Sequence, residues 1–386
     1  MFAKSDSATN HISDFEYNNE GEIKMNRFWS DITRSITPYV PGEQPREKIL
    51  IKLNTNESPY PPSPGVIARI RDAANQDIRL YPDPESTALK DAVAEFYGIS
   101  CNQVFPGNGS DEVLAFMFQA FFNPSGRIAF PDITYSFYPV YAELYSIPYM
   151  AIPVREDFTI DFSDYPEDLR AILFANPNAP TGIFIKPGEI ETLLKSRPDT
   201  LIVVDEAYVD FGGESVIPLI NQYDNLLVVH TLSKSRALAG MRIGLAIGDS
   251  GLIEALNRIK NSFNSYTMDR LAQIAAVEAF EDKTYYRDLQ EKIIRTRERI
   301  KKTLQDMAIP CTDSKANFIF INIPGINGPE ALRLFKEEGI LVRNLKTPRI
   351  SDWLRISIGT DQDMGRVVLA IHKIMADIAA SQSSSQ

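Results

Sequence analysis

The stretch HTLSKSRALAGMRIG, His230 to Gly244, decides how the chain is read, and Lys234 is its centre. It follows LLVV (Leu226 to Val229), an apolar run suited to a buried strand, with a hydroxyl neighbour at Ser233 and an arginine at Arg242. A lysine delivered by a strand end and partly buried beside another cation keeps its amine neutral, able to attack an aldehyde. Ser233 and Arg242 then offer donors to an anion such as phosphate. An isolated Ser-Lys pair is more often a solvated turn, so this reading needs support from elsewhere in the chain.

That support lies outward on both sides. LIVV (Leu201 to Val204) is apolar throughout, as in a parallel strand buried on both faces, and it runs into DEAY, Asp205 to Tyr208. A carboxylate at the end of a buried strand is costly unless it meets a cation or a donor. A protonated pyridine nitrogen is such a cation; standing alone, the same aspartate would simply cap the next turn. AILFA (Ala171 to Ala175) leads into NPNAPTG, Asn176 to Gly182, a loop fixed by its prolines and glycine. A strand at Arg127 to Phe130 ends at PDITYSFY, placing Tyr135 just past its carboxyl end, where open α/β sheets bind ligands. GNGSDE, Gly107 to Glu112, opens into the apolar run VLAFMFQAFF. Gly107 and Gly109 allow tight turns, Ser110 can cap, and free N–H groups at a helix start bind an anion. Asp111 and Glu112 would also suit the helix dipole with no ligand present. A dinucleotide fingerprint fails here, because its third glycine is missing.

Taken together, Lys234, DEAY, NPNAPTG and GNGSDE resemble the fold-type-I pyridoxal-phosphate enzymes, and among them the histidinol-phosphate aminotransferases, as does GEQP at Gly42 to Pro45. The resemblance runs from about Met25 to the last helix. It implies an α/β fold, with a mostly parallel, doubly wound sheet in a large domain and a smaller α+β domain. It implies pyridoxal 5'-phosphate as cofactor, with Lys234 as the covalent anchor, Asp205 on the ring nitrogen, Tyr208 on the phenolic oxygen and Tyr135 stacked on the ring. Ser233 and Arg242 would join the helix terminus at Ser110 around its phosphate, with Gly109 and Asp111 further cofactor-binding candidates. Tyr81, in RLYPDPES, would cross a two-fold interface to a partner's cofactor, making a homodimer with shared active sites. Arg355, mid-strand in WLRISIG, would grip a substrate carboxylate or phosphate, with Arg343 a second candidate for the phosphate. Asn56 and Glu57, in LNTNESPYPPSP, would face the substrate. One departure stands out. The family string has two asparagines before PTG, the second donating to the phenolic oxygen; Ala179 holds that place here, leaving Asn178 as substitute or Tyr208 alone. The implied reaction is transamination of histidinol phosphate with 2-oxoglutarate, giving imidazole-acetol phosphate and glutamate.

Composition bounds the alternatives. At 386 residues the chain exceeds one core, with 44% hydrophobic and 24% charged residues, as in ordinary globular proteins. The net charge of −11 argues against nucleic acid or an anionic membrane as partner. Cys101 and Cys311 are too few for a disulfide framework, which fits a reducing cytoplasm, and three histidines leave little material for a metal site or a Ser-His-Asp triad. Residues 1–24 read as a disordered polar tail, 25–55 as an N-terminal arm containing a short helix at 28–36, 56–285 as the large domain, 286–380 as the small one and 381–386 as a tail. Leu289, Ile293, Ile300 and Leu304 lie at helical spacing in a charged helix linking the two domains. Short strands are expected at Asn317 to Ile321, Ile340 to Arg343 and Trp353 to Gly359. Three other readings stay open: an aromatic amino-acid aminotransferase on the same scaffold, a decarboxylase of a phosphate-bearing amino acid, and a non-catalytic module binding a phosphate compound.

Overall fold

The computed structural model describes residues 27–44 and 51–383. The tail expected over residues 1–24 lies outside these, as does 384–386. The last helix, Asp361–Ser383, runs three residues into what was expected to be the C-terminal tail. Contacts divide the chain into a unit ending at Tyr39 and a unit from Val40 onward. In the first, the helix is only Asp31–Ser35, capped by the Ser30 hydroxyl, with no residue buried.

In the second unit the strands are β1 (Ile51–Lys52), β2 (Val104–Gly107), β3 (Ile128–Pro131), β4 (Tyr149–Ile152), β5 (Ala171–Ala175), β6 (Leu201–Asp205), β7 (Leu226–Thr231), β8 (Gly244–Gly248), β9 (Phe318–Asn322), β10 (Ile340–Leu341), β11 (Arg343–Asn344) and β12 (Trp353–Ser357). Seven of them form a sheet in the order β2-β8-β7-β6-β5-β3-β4. Only β8 runs against its neighbours.

The strands read as unbroken apolar runs because both faces of the sheet are covered. Ile172, Phe174, Ile202, Val204, Leu226 and Val228 point into one core, shared with the helix Arg270–Glu281. The alternate residues Ala171, Leu173, Val203, Leu227 and Val229 point into a second, shared with Val113, Phe116 and Met117 of the helix Ser110–Phe121. Each large aliphatic or aromatic side chain so buried contributes about 1.5–3 kcal/mol relative to exposure. In register, Ala175 faces Asp205 and Asp205 faces Val229, so the loops after β5, β6 and β7 leave the sheet along one edge. An open parallel sheet binds its ligands there.

β9, β12 and β11 form an antiparallel sheet, and β1 pairs in parallel with β10. The single strand expected over Ile340 to Arg343 is therefore two. Its first half bonds β1 and its second half bonds β12, placing Arg343 opposite Arg355. The helix Lys283–Asp306 buries Leu289, Ile293, Ile300 and Leu304 at the expected spacing. It also buries Arg297, 1% exposed, whose guanidinium donates to the carbonyls of Phe211 (2.6 Å) and Ala316 (2.9 Å). The segment after Tyr208 is thereby fastened to the segment before β9. Among the described residues no helix is long and apolar enough to cross a membrane.

Candidate active site

Beyond β7 the chain turns, and the Lys234 amine donates to the Thr55 carbonyl at 3.0 Å. Thr231 braces this turn. Its hydroxyl donates to the Ile243 carbonyl (3.1 Å), accepts the Ser233 N–H (3.2 Å) and lies 3.1 Å from the Ser233 hydroxyl. Burial lowers the Lys234 pKa, and Arg355 and Arg242 lower it further; Glu57 and Asp111 oppose them, and the outcome is about 8. Relative to an ordinary value of 10.5, the neutral amine near pH 8 is enriched by roughly two orders of magnitude.

Asp205 closes β6 and is 4% exposed. It accepts from the Tyr138 hydroxyl at 2.9 Å and the Ala207 N–H at 3.1 Å, both neutral donors. Burial raises its pKa to about 6 in spite of them. A carboxylate held this way is starved of a cation. Tyr208 follows, also buried; its hydroxyl accepts from Asn56 Nδ2 at 3.0 Å and its ring packs edge-on against Phe318.

The anion cradle rests on two glycines. Gly109 has φ +86°, a conformation suited to glycine, and a Cβ there would lie 2.7 Å from Arg242 Nη2. A Cβ on Gly244 would lie 2.3 Å from the Gly109 carbonyl carbon and from the Ser110 nitrogen, so β8 begins hard against the helix terminus. Ser110, expected as a cap, is instead the first helical residue; Gly109 takes the cap position and no side chain caps the helix. Its first-turn N–H groups suit an anionic ligand. Gly244→Ala should cost about 1–3 kcal/mol by forcing strand and helix apart, measurable by urea denaturation, and should weaken phosphate binding at the cradle. Asp111 joins the cradle to the sheet edge, accepting from Arg242 Nη2 (3.0 Å) and the Tyr135 hydroxyl (2.8 Å).

The remaining candidates divide. Asn178 is spent inside its own loop: its two amide hydrogens go to the Ile133 carbonyl (2.9 Å) and the Thr181 hydroxyl (3.1 Å), leaving none for a ring. With these bonds it braces NPNAPTG. Arg355 Nη2 donates to the Asn54 carbonyl at 3.0 Å, with its guanidinium 5.5 Å over Phe318, close enough to Lys234 and Tyr208 to act on both electrostatically. Arg343 donates to the carbonyls of Val40 (3.1 Å) and Pro41 (3.4 Å), tying β11 to the segment before β1. Asn56 is buried and bonded to Tyr208 and Ser357. Burial alone would raise the Glu57 pKa; Lys52 and Thr55, bonded to its carboxylate, outweigh that and lower it. Tyr81 lies elsewhere, 78% exposed and stacked on Tyr266 at 4.5 Å.

Three contributors were not among the sequence candidates: the Thr55 carbonyl, Tyr138 and Ser357. Tyr138 lies in the first turn of the helix Phe137–Leu144, three residues after Tyr135, and the two rings meet edge-on at 5.6 Å. Ser357 follows Arg355 by two, so two polar groups share one face of an otherwise apolar strand.

These residues fit a phosphate-bearing heterocyclic aldehyde. The glycine cradle and Arg242 suit its phosphate, the cation-starved Asp205 a protonated ring nitrogen, and the softened Lys234 amine its aldehyde. Comparison with known proteins agrees. The family model for aminotransferase class I and II matches residues 48–371. Histidinol-phosphate aminotransferase 2 of Dechloromonas aromatica is 51% identical over 354 residues, covering 91% of this chain and 99% of its own. The histidinol-phosphate aminotransferase of Clostridium acetobutylicum is 49% identical, covering 91% and 100%. Among solved structures, the histidinol-phosphate aminotransferase of Sinorhizobium meliloti in complex with pyridoxal-5'-phosphate superposes with a TM-score of 0.83 at 25% identity, covering 92% of this chain and 99% of that one.

Proposed function

From a chain that belongs to the histidinol-phosphate aminotransferases, within aminotransferase class I and II, we propose the transfer of the amino group of L-histidinol phosphate to 2-oxoglutarate, giving imidazole-acetol phosphate and glutamate. The observation that carries it is the pairing of a softened lysine with a cation-starved aspartate beside a glycine cradle. Pyridoxal 5'-phosphate, when bound, supplies the aldehyde that takes up the amino group and the ring that draws electrons from the carbon bearing it.

The chain's own residues do the rest. Asp205 would hold the positive charge of the ring nitrogen, while Gly109, Ser110, Ser233 and Arg242 would hold the phosphate. Asp111 orients Arg242 and Tyr135 through its two bonds, and Tyr135 would pack against the ring. Lys234 Nζ, neutral for a large fraction of the time near pH 8, accepts the proton from the amino-bearing carbon and returns it on the other side of the reaction. Arg355 receives the carboxylate of glutamate in one half-reaction and the phosphate of histidinol phosphate in the other, with Arg343 assisting once it exchanges its carbonyl partners for the phosphate. Glu57 faces the imidazole end.

The reading extends to a cytoplasmic homodimer in which Tyr81 reaches a partner's site, and to a boundary between large and small domains near residue 285. The test is turnover of purified protein with histidinol phosphate against phenylalanine, each paired with 2-oxoglutarate. Histidinol phosphate should be preferred by at least about tenfold in kcat/KM; a preference for phenylalanine would assign the chain to aromatic transamination instead.

A further inference from the structure

Asn56 stands in an unusual position. It is 1% exposed, yet its backbone takes the left-handed conformation, φ +57°, which asparagine tolerates better than most side chains. Each polar group is engaged. Its backbone N–H donates to Ser357 Oγ at 2.9 Å, and its carbonyl accepts from Asn317 Nδ2 at 3.0 Å. Its side-chain Oδ1 lies 2.9 Å from Ser357 Oγ, and its Nδ2 donates to the Tyr208 hydroxyl oxygen at 3.0 Å.

The direction of this chain follows from donor and acceptor chemistry. Oδ1 can only accept, so Ser357 donates its hydroxyl proton to it; Nδ2 can only donate, so Tyr208 accepts. Turning the amide over would strand the Ser357 proton in a site where the residue is 2% exposed, at a cost of about 1–3 kcal/mol. Because the Tyr208 oxygen is occupied as an acceptor, its own O–H is directed elsewhere. Among the described residues this is the one hydrogen bond recorded for that hydroxyl. With no side-chain donor at Ala179 and the Asn178 amide spent, Tyr208 is the hydroxyl that the sequence candidates leave to donate to the ring oxygen.

We propose that Ser357 and Asn56 are positioning residues: they form a one-way hydrogen-bond relay from β12 that holds the Tyr208 hydroxyl as a donor aimed into the site. Asn56 accordingly acts through Tyr208 and does not touch substrate. The inference rests on the proposed function in one respect, that the acceptor is the negatively charged ring oxygen of pyridoxal 5'-phosphate. It also ties the donor to the strand carrying Arg355, two residues from Ser357 on the same face, so that seating an anion on Arg355 and aiming Tyr208 are mechanically coupled.

The test is the pH midpoint of the colour change of the protein loaded with pyridoxal 5'-phosphate, read by absorbance without substrate. A donor to the ring oxygen stabilises its deprotonated partner form and keeps the midpoint low; losing the donor raises it. In Asn56→Asp the carboxylate accepts from both Ser357 and Tyr208 and draws the phenol proton away from the site, while aspartate still tolerates the left-handed backbone. The midpoint should rise by about one unit, a tenfold change in the proton equilibrium. Made in a Tyr208→Phe background, the same substitution should shift it by less than half as much, because there is no hydroxyl left to aim. Ser357→Ala should raise the midpoint in the same direction and Ser357→Thr should restore it; this pair carries the test if Asn56→Asp does not fold. Unchanged midpoints in coloured, folded variants, or equal shifts in both backgrounds, would overturn the relay. A wild-type protein that takes up no colour from pyridoxal 5'-phosphate would overturn the function beneath it as well.

Discussion

Lys234→Ala should reduce transamination by about 10³-fold or more, the scale expected when a positioned proton carrier is lost together with the nucleophile. The cations that face it cannot take its place. The Lys234 amine donates to the Thr55 carbonyl, and the nearby cations that soften it, Arg355 and Arg242, are guanidiniums, which offer donors but no acceptor. Two measurements check this. Steady-state turnover should fall to near background, and borohydride reduction of the loaded protein should add the cofactor's mass to the wild type alone. A Lys234→Ala protein that still gains this mass would move the covalent anchor to another lysine. Lys234→Arg should be as inactive as alanine, because its guanidinium keeps its charge where a pKa of about 8 is required.

Asp205→Asn should lower kcat by about 10²-fold or more while changing KM much less, since its electrostatic role is exercised as charge develops on the ring. The same substitution should make the cofactor-free protein more stable at neutral pH. Burial raises the Asp205 pKa from 3.8 to about 6, so the folded state binds this proton more tightly than the unfolded one. The stability linked to that proton is fully present below pH 3.8 and is lost as pH rises through about 6. At pH 7 the wild-type apoprotein therefore carries a penalty of order 3 kcal/mol that asparagine does not. Melting curves of the two apoproteins should diverge between pH 4 and 7 and converge in acid. Curves that stay parallel across this range would mean that the aspartate is already satisfied in the empty protein.

The strands under the site were legible as apolar runs, and so was the placement of Asp205 at the end of one and of Tyr135 and Lys234 just past two others. β2, β4 and β8 were not read as strands. β2 and β8 are short and contain Pro106, Gly244 and Gly248, and three residues of β4 are half-exposed or exposed, so none shows a clean run. The helix cap was misread at Ser110 because the sequence rule favours a hydroxyl there, whereas the close approach of Gly244 and Arg242 requires glycine at the cap. Asn178 looked available as a donor because its partners, Ile133 and Thr181, depend on how its loop folds back.

The sequence by itself determined the chemistry on offer: a lysine and an aspartate delivered by buried strands, a glycine turn opening a helix, and an arginine in an apolar strand. Those features are local, since period, punctuation and residue type act over a few neighbouring positions. Only the tertiary structure decided which polar groups remain available. Hydrogen bonds such as Ser357 to Asn56, or Arg343 to Val40, join residues about three hundred positions apart, and each bond made removes a donor or an acceptor from the site. That accounting depends on which segments meet in space, which no local pattern in the chain records.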